Sequence, residues 1–464
     1  MIPSRTVILF LLVLVQGLLF AAGEGYSEKT DIHDRPFTDF MNPVKEMPLG
    51  EGFTASLGGS LQERFQDIDN RHDFESHTFD EDFSLLTRER LNLDVHYGHL
   101  FKAFVEAQDA RELKIYGKAL PYTNSNDDFL DLYQGYLEVG LMDDVLDEPS
   151  LVFRVGRQEL VLGKRHLFSE NDWLNTGQSF DMARTTWLPD GFQIDAFAGE
   201  PVVPNPHHFD TDSSHENIAG INLKALGIPL GHTVEGFTIY KWNDVNLTSD
   251  SPGVRGNEKV FTLGGRADGH FFKNWDYDLE DAFQTGNRGG DGVTAWSTTT
   301  ELGYTMPFNW RSLRLGGVYT RSSGDKSPTD RTSQTFDPLY GDQFLFHSKF
   351  LLAAPKNLED VHFTSQARVW RGGLIEFDYH VLRTIEAKDA FYQGNGAPLR
   401  QDPTGRSGHN AGQEFDTQIS HTFHENLSVT GGAFLFMPGG LFRRTGNRGD
   451  DTARNIFFMV RTSF

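Results

Sequence analysis

Arginine residues recur at alternate positions of strand-like segments along this chain. Arg88 and Arg90 lie two positions apart in the segment 83–97, on a polar face that opposes an apolar one. A guanidinium group is planar and permanently charged, and its paired donors match a carboxylate. Rings of such groups make a pore selective for anions. The same alternation selects further candidates for an anion path, namely Arg154, Arg266, Arg314 and Arg368.

The segments that carry these arginines follow a period of two residues from about Gly52 to the end of the chain. This alternation indicates strands with one apolar and one polar face, and no long helical period interrupts it. Charge on a face that contacts lipid is costly, so we expect the polar rows to face a watery lumen. Eighteen segments fit this description: 53–65, 83–97, 100–109, 129–141, 150–160, 179–188, 191–199, 216–226, 232–243, 258–271, 274–284, 294–306, 311–322, 360–370, 373–384, 412–423, 427–437 and 454–464.

The connections between these segments alternate between short and long. This asymmetry is expected of a barrel with short periplasmic turns at one end and long extracellular loops at the other. We therefore predict an all-β fold, a transmembrane antiparallel up-and-down β-barrel of about 18 strands. The apolar run 344–352 would make the strand count odd, and we assign it to a loop. The predicted long connections are 66–82, 110–128, 161–178, 200–215, 244–257, 285–293, 323–359, 385–411 and 438–453.

Both ends of the chain indicate an outer-membrane protein. Arg5 precedes an apolar run from Val7 to Phe20, which predicts a secretory signal peptide over residues 1–23. The last segment finishes on Phe464 and resembles the closing strand by which bacterial outer-membrane barrels are recognised for assembly. We thus expect the outer membrane of a Gram-negative bacterium as the location. After the signal peptide we predict an N-terminal periplasmic or lumenal segment over residues 24–51 and a transmembrane β-barrel over residues 52–464.

The composition excludes several classes of protein. A formal net charge of −23 disfavours nucleic acid as a partner. The 464 residues include no cysteine, which excludes a disulfide framework and thiolate metal sites. Enzyme motifs such as a phosphate loop or a nucleophile elbow are missing, and we predict no enzyme activity, no cofactor and no metal site. The run Asp210–Glu216 faintly resembles a calcium loop, and we interpret it as a solvated extracellular loop.

Several stretches together resemble one family, the alginate export outer-membrane porins. The resemblance implies a monomeric barrel that passes a polyanionic polysaccharide through an arginine-lined constriction. As partners it implies an anionic saccharide, outer-membrane lipid and lipopolysaccharide, the barrel assembly machinery, and periplasmic secretion components. The stretches follow the family's order over most of the mature chain and are Asn42–Gly50, Leu57–Phe65, Val155–Leu160, Asp172–Arg184, Ser323–Thr329 and Thr335–Tyr340.

The same resemblance suggests which residues form the constriction. The basic positions of the family's motifs correspond here to Arg64, Arg90, Arg157 and Arg184, and Asp181 lies in the same motif as Arg184. Combined with the candidates from strand alternation, the predicted substrate path and pore constriction consist of Arg64, Arg88, Arg90, Arg154, Arg157, Asp181, Arg184 and Arg266.

Other interpretations stay open from the sequence. An inward arginine is often a wall residue paired with a carboxylate, and Arg184 with Asp181, or Arg157 with Glu159, could form such pairs. A nutrient-uptake or general porin is the nearest alternative function, followed by an outer-membrane enzyme and by a structural barrel with a plugged lumen. Acidic residues on the predicted inward face leave the substrate open: Glu106, Glu138, Asp276, Asp278, Glu280, Glu376, Asp378, Glu414 and Asp416.

Overall fold

The structure is a computed structural model that describes residues 44–71, 74, 82–117, 125–142, 149–212, 215–248, 255–308, 311–327, 329–424, 426–445 and 451–464. The predicted signal peptide and residues 24–43 of the predicted N-terminal segment lie outside the described residues. Within residues 44–51, the short strand Met47–Gly50 pairs antiparallel with residues 53–55.

Eighteen long strands form the body of the protein, which confirms the predicted strand number and fold class. They are β1 (Phe53–Asp69), β2 (Asp82–Tyr97), β3 (Phe101–Tyr116), β4 (Asp128–Met142), β5 (Pro149–Gln158), β6 (Phe180–Trp187), β7 (Phe192–Val203), β8 (Glu216–Ile228), β9 (His232–Thr248), β10 (Arg255–Phe271), β11 (Trp275–Arg288), β12 (Asp291–Phe308), β13 (Arg311–Ser322), β14 (Leu358–Trp370), β15 (Gly373–Thr384), β16 (Asn410–His424), β17 (Leu427–Pro438) and β18 (Ala453–Ser463).

Each strand pairs antiparallel with its neighbours in chain order. β18 also pairs with β1, from Arg454 opposite Asp69 to Ser463 opposite Ser60, and Phe464 continues this pairing through backbone hydrogen bonds with Gly59. The sheet is therefore a closed up-and-down barrel. Closure matters in a bilayer because an open strand edge would leave backbone donors and acceptors without partners.

The barrel wall separates apolar from polar side chains. Leu93, Val105 and Phe363 are exposed on the outer face, where lipid covers them. Gln108 and Asp195 are buried on the inner face. Because side chains alternate between the two faces of a strand, each strand contributes to both surfaces without a long apolar run.

One predicted connection is wrong. The sequence predicts a long polar loop over residues 285–293, whereas β11 and β12 continue to a two-residue turn at Gly289 and Gly290. Both glycines have positive φ, 58° and 96°. A tight hairpin turn with the twist of the flanking strands needs this conformation at both central residues, which glycine adopts without strain.

The other connections keep the predicted asymmetry, which defines a short-turn end and a long-loop end of the barrel. The helices α1 (Gln343–Phe346) and α2 (Gly440–Arg444) lie in long loops, and the apolar run 344–352 is loop as predicted. No helix among the described residues is both long and apolar enough to cross a membrane. The remaining short elements are the turn Pro229–Gly231 and the strands Thr211–Asp212, Thr332–Ser333, Phe391–Tyr392 and Pro398–Arg400.

Replacing Phe363 by arginine should destabilise the barrel, because 57% of this residue is exposed on the lipid-facing side of β14. We expect the free energy of unfolding in phospholipid vesicles, measured by urea titration, to fall by about 2–4 kcal/mol. Gln366→Arg is the matched control on the same strand, since Gln366 faces the lumen and lies 3.2 Å from the carboxylate of Glu376. Equal losses in the two variants would contradict the assigned faces.

Candidate functional site

Two long loops fold into the lumen from different parts of the wall. One covers residues 159–179 between β5 and β6, and the other covers residues 323–357 between β13 and β14. They meet inside the barrel, where the rings of Trp173 and Phe344 stack with centroids 3.9 Å apart. The amide of Asp342 also donates to the carbonyl of Arg165 at 2.9 Å. The lumen is therefore crossed by a pair of joined loops.

An arginine cluster, consisting of Arg64, Arg88, Arg90 and Arg461, holds the first loop. Arg88 and Arg461 contact the two carboxylate oxygens of Asp172 at 2.7 and 2.6 Å. The guanidinium of Arg64 lies over the Trp173 ring at 4.0 Å and donates to the Trp173 carbonyl at 2.7 Å. Arg64 and Arg88 are only 2% and 3% exposed, so the docked loop covers them almost completely.

The Asp172 carboxylate is the ionic centre of this contact. Its burial opposes ionisation, but the guanidinium groups of Arg88 and Arg461 outweigh that effect and hold the pKa of Asp172 well below its usual range. A permanently ionised carboxylate between two arginines forms strong charge-assisted hydrogen bonds.

Arg90 and the side-chain amide of Asn175 complete the attachment of the loop to β2. Arg90 lies over the ring of Tyr133 at 3.6 Å and 3.8 Å from the carboxylate of Glu159. Asn175 donates to the carbonyl of Thr87 at 2.9 Å. These contacts involve a backbone carbonyl of the wall as well as side chains. They therefore fix the position of the loop against the wall.

The same loop reaches the opposite wall. Lys164 forms an ion pair with Glu301 on β12, and His166 lies 3.2 Å from Glu280 on β11. Contacts at both walls mean that the 159–179 loop spans the lumen.

The 323–357 loop is attached by ion pairs of its own. Asp337 contacts Lys241 and Arg288 at 3.1 and 3.2 Å, and these cations outweigh burial to lower the pKa of Asp337. Farther along, Lys349 contacts Asp378 on β15 at 2.6 Å. At the long-loop end, a cavity of about 680 Å³ lies among both loops and the wall and is lined in part by Trp173, Lys241, Arg288, Tyr340, Lys356 and Tyr392.

Three other predicted arginines pair with wall carboxylates and not with a loop. Arg154 contacts Glu138 at 2.5 Å, and Arg184 contacts Asp195 at 2.7 Å. The suggested pair of Arg184 with Asp181 is therefore wrong, because Asp195 lies on the inner face of the neighbouring strand β7. Arg266 and the further candidate Arg314 also bind wall carboxylates, namely Glu235, Asp268 and Asp278 for Arg266, and Asp276 and Glu301 for Arg314.

Arg157 and Asp181 do not face the lumen. Arg157 shares a face of β5 with Phe153 and Val155, whose side chains are exposed on the outer surface. Arg157 and Asp181 are opposite each other in the strand register and form two hydrogen bonds of 2.9 Å near the long-loop end. The suggested pair of Arg157 with Glu159 is also wrong, because Glu159 contacts Tyr133 and Arg90 instead. The prediction that Arg157 and Asp181 line the constriction is therefore wrong. They form an ion pair on the outer face of the barrel wall.

Arg461 is a cluster member that the sequence prediction missed. The signal was present, since Arg461 alternates with the outward residues Ile456, Phe458 and Val460 of the last strand. A second missed feature is the repeated Asp-x-His pattern of β14 and β15, Asp360 to His362 and Asp378 to His380. The structure brings both histidines together on the inner wall.

Comparison with known proteins decides the family. The profile of the alginate export family matches residues 53–455, which is most of the chain. The chain belongs to the alginate export family. It is accordingly an outer-membrane β-barrel of a Gram-negative bacterium, and the predicted resemblance and location are confirmed. No match was found among curated protein sequences.

Solved structures share the barrel architecture of this family member at low sequence identity. Pseudomonas aeruginosa OccK5 (OpdH) is 14% identical, with a TM-score of 0.56 over 88% of this chain and 98% of that one. Acinetobacter baumannii OccAB4 is 11% identical, with a TM-score of 0.55 over 88% and 98%. P. aeruginosa OccK2 (OpdF) is 10% identical, with a TM-score of 0.58 over 88% and 97%. Identities this low establish the fold alone.

The stability of the contact between the two loops should depend on pH, because Asp342 titrates at this contact. Burial raises the pKa of Asp342 to about 6 and the nearby Glu170 adds to this shift, although a hydrogen bond from the Leu345 amide opposes it. Since the carboxyl of an unfolded chain has a pKa of about 3.9, the docked loops favour the protonated form. Their stability is therefore fully present below about pH 4 and is lost as the pH rises through about 6.

Hydrogen exchange of residues 340–347 measures this effect. After correction for intrinsic rates, we expect protection in the wild type to decrease between pH 5 and 7.5, corresponding to roughly 1–1.5 kcal/mol. Asp342→Asn should make protection nearly independent of pH, whereas Asp330→Asn, an exposed carboxylate of the same loop, should behave as the wild type. An unchanged pH dependence in Asp342→Asn would exclude this residue as the titrating group.

Proposed function

We propose that this protein is a passive outer-membrane channel for an anionic saccharide, with the arginine cluster as its selective constriction. The observation that carries the proposal is the position of the Asp172 carboxylate between Arg88 and Arg461. A uronate residue of a polysaccharide presents the same chemical group. Asp172 therefore occupies the cluster as a carboxylate of the substrate would.

The charge balance of the cluster supports this proposal. Its four guanidinium groups come from the adjacent strands β18, β1 and β2, and the docked loop offers them Asp172 with Glu159 at its start. When the 159–179 loop leaves, these cations lose their main partners and face the lumen. Guanidinium groups in a narrow lumen attract anions because the low-dielectric wall focuses their field.

The wall arginines contribute less to selectivity in this account. Arg154, Arg184 and Arg266 keep their wall carboxylates whether or not a loop is docked. We therefore narrow the predicted constriction to Arg64, Arg88 and Arg90 and add Arg461. The wall pairs make the rest of the lumen polar without making it strongly cationic.

Permeation requires the joined loops to move, and the contacts that hold them are suited to exchange. Ion pairs and hydrogen bonds with the wall can be replaced by the carboxylates and hydroxyls of a saccharide. The Trp173 stack on Phe344 would open at the same time. We propose that lipopolysaccharide surrounds the barrel, that the assembly machinery recognises the strand ending in Phe464, and that periplasmic secretion components deliver the substrate.

A structural barrel with a plugged lumen is the second candidate, because both loops bind the wall in the described structure. Such a protein would not conduct ions under any condition. An uptake porin for other solutes would conduct but would not be blocked by uronates. The enzyme alternative receives no support from the family to which the chain belongs.

Reversal potentials in planar bilayers test the proposal. The wild type in a salt gradient should prefer anions, and Arg90→Glu should reduce or reverse that preference because it places a carboxylate within the cluster. Arg184→Glu should have a smaller effect, since Arg184 already pairs with Asp195. Arg383→Glu is the control for charge alone, because Arg383 pairs with Glu359 on the exposed outer surface.

Titration with oligouronates identifies the substrate class. We expect block of the wild-type current and weaker block of Arg90→Glu, with neutral oligosaccharides of the same length ineffective. Cation preference in the wild type, or equal selectivity in Arg90→Glu and Arg383→Glu, would contradict the arginine constriction. A protein that stays silent in every condition would favour the plugged barrel.

A further inference from the structure

A group of histidines and carboxylates lies on the inner wall behind the 323–357 loop. We call His347, Asp360, His362 and His380 the histidine cluster. His362 of β14 and His380 of β15 are register partners, and their rings stack with centroids 3.7 Å apart. Asp360 lies on the same face of β14, and His347 follows α1 in the loop. All four residues are buried, with exposures between 1% and 6%.

Several polar atoms of this cluster make no hydrogen bond among the described residues. They are Nδ1 of His347, Oδ1 of Asp360 and both ring nitrogens of His362. His362 Nε2 does lie 3.2 Å from Asp378 Oδ1, but without hydrogen-bond geometry. Buried polar atoms without partners destabilise a fold, so a cluster of them indicates that a further ligand completes the site.

The arrangement of the cluster favours a cation as that ligand. Two imidazolium rings stacked at 3.7 Å would repel each other, so at least one ring of the pair is neutral, and neutral imidazole is the form that binds metals. Asp360 Oδ2 lies 2.9 Å from His380 Nδ1, and Asp360 Oδ1 makes no hydrogen bond among the described residues. The neighbouring Asp378 is already neutralised by Lys349, and Glu414 accepts from Ser348.

The ligand atoms of Asp360, His362 and His380 all lie within 4.8 Å of one another. Zinc bonds of about 2.0–2.1 Å in a tetrahedral site put neighbouring ligand atoms about 3.3 Å apart, so small side-chain rotations bring these three onto one ion. His347 Nδ1 lies 3.9 Å from Asp360 Oδ2, outside this group of three, and a small shift of the loop would bring it to the ion as a fourth ligand. A set of ligands that consists of imidazole nitrogens and one carboxylate binds zinc in preference to calcium or magnesium.

We propose that the histidine cluster is a zinc site, with Asp360, His362 and His380 as wall ligands and His347 as the ligand from the 323–357 loop. One ion would thus connect that loop to β14 and β15. The proposal is independent of the saccharide channel, because a plugged barrel could hold the same ion. It adds a third attachment of this loop, beside the pairs of Asp337 and of Lys349 with the wall.

Zinc binding by the tag-free, refolded full-length protein tests the site. The protein is stripped with a chelator, equilibrated with micromolar zinc in millimolar calcium and magnesium, desalted, and measured by elemental analysis. We expect about one zinc per chain for the wild type and loss of most of it in His362→Gln. Cobalt in place of zinc should give the visible absorption of a tetrahedral site.

Two further variants keep the test decisive. His347→Gln changes only the loop ligand, so the barrel should fold as judged by its heat-modifiable migration, and its zinc affinity should fall at least severalfold. Asp210→Asn alters the all-carboxylate group formed with Asp128 and Asp131, whose oxygen ligands suit calcium, and it should leave zinc retention unchanged.

Three results would overturn the proposal. The first is a wild type that retains no zinc after desalting. The second is folded His362→Gln that retains as much zinc as the wild type. The third is a zinc affinity that His347→Gln leaves unchanged, since this would remove the loop ligand. Increased hydrogen-exchange protection of residues 343–352 on zinc addition to the wild type alone would support the loop attachment directly.

Discussion

The pairing of β18 with β1 is the constraint on which the rest of the structure depends. It leaves no open strand edge at this seam, so the backbone donors and acceptors of the first and last strands pair with each other and are not exposed to lipid. Once the sheet is closed, alternation divides the side chains into a lipid-facing set and a lumen-facing set. The charged residues are then concentrated in a small volume, where they bind one another and any loop that enters.

The two loops are attached to the wall through these charged residues. The 159–179 loop is fixed at one wall by the arginine cluster and at the other by Lys164 and His166. The 323–357 loop is fixed by Asp337 and Lys349. Each attachment consists of ion pairs or hydrogen bonds, while the contact between the loops adds an aromatic stack. Under the proposed function, a polyanion that competes for the same cations would release the loops.

The sequence predicts the fold well because strand period and turn composition are local properties. All eighteen predicted segments overlap observed strands, and the one misassigned connection, 285–293, contains two glycines that form a tight turn. The site is harder to predict because the partners of a charged residue depend on register. Arg157 meets Asp181 because the pairing of β5 with β6 puts them opposite each other, and no spacing in the chain reveals that.

The positions of the long loops could not be predicted at all. A polar connection of 21 or 35 residues, as between β5 and β6 or between β13 and β14, has the same composition whether it extends outward or folds inward. The contacts of Trp173 and Asp172 with the wall exist only after the barrel has closed. Arg461 and the Asp-x-His repeats were in principle detectable, because strand alternation alone assigns them to the inner face.

Cross-linking of the two loops tests most directly whether they gate the lumen. The chain has no cysteine, so Trp173→Cys combined with Phe344→Cys gives a unique pair for a short, cleavable thiol cross-linker. Single-channel recordings before and after cleavage then compare the joined and released loops in one protein. The account predicts little conductance while the loops are joined and anion-selective current after cleavage. The same conductance in both states would contradict the claim that these loops close the channel.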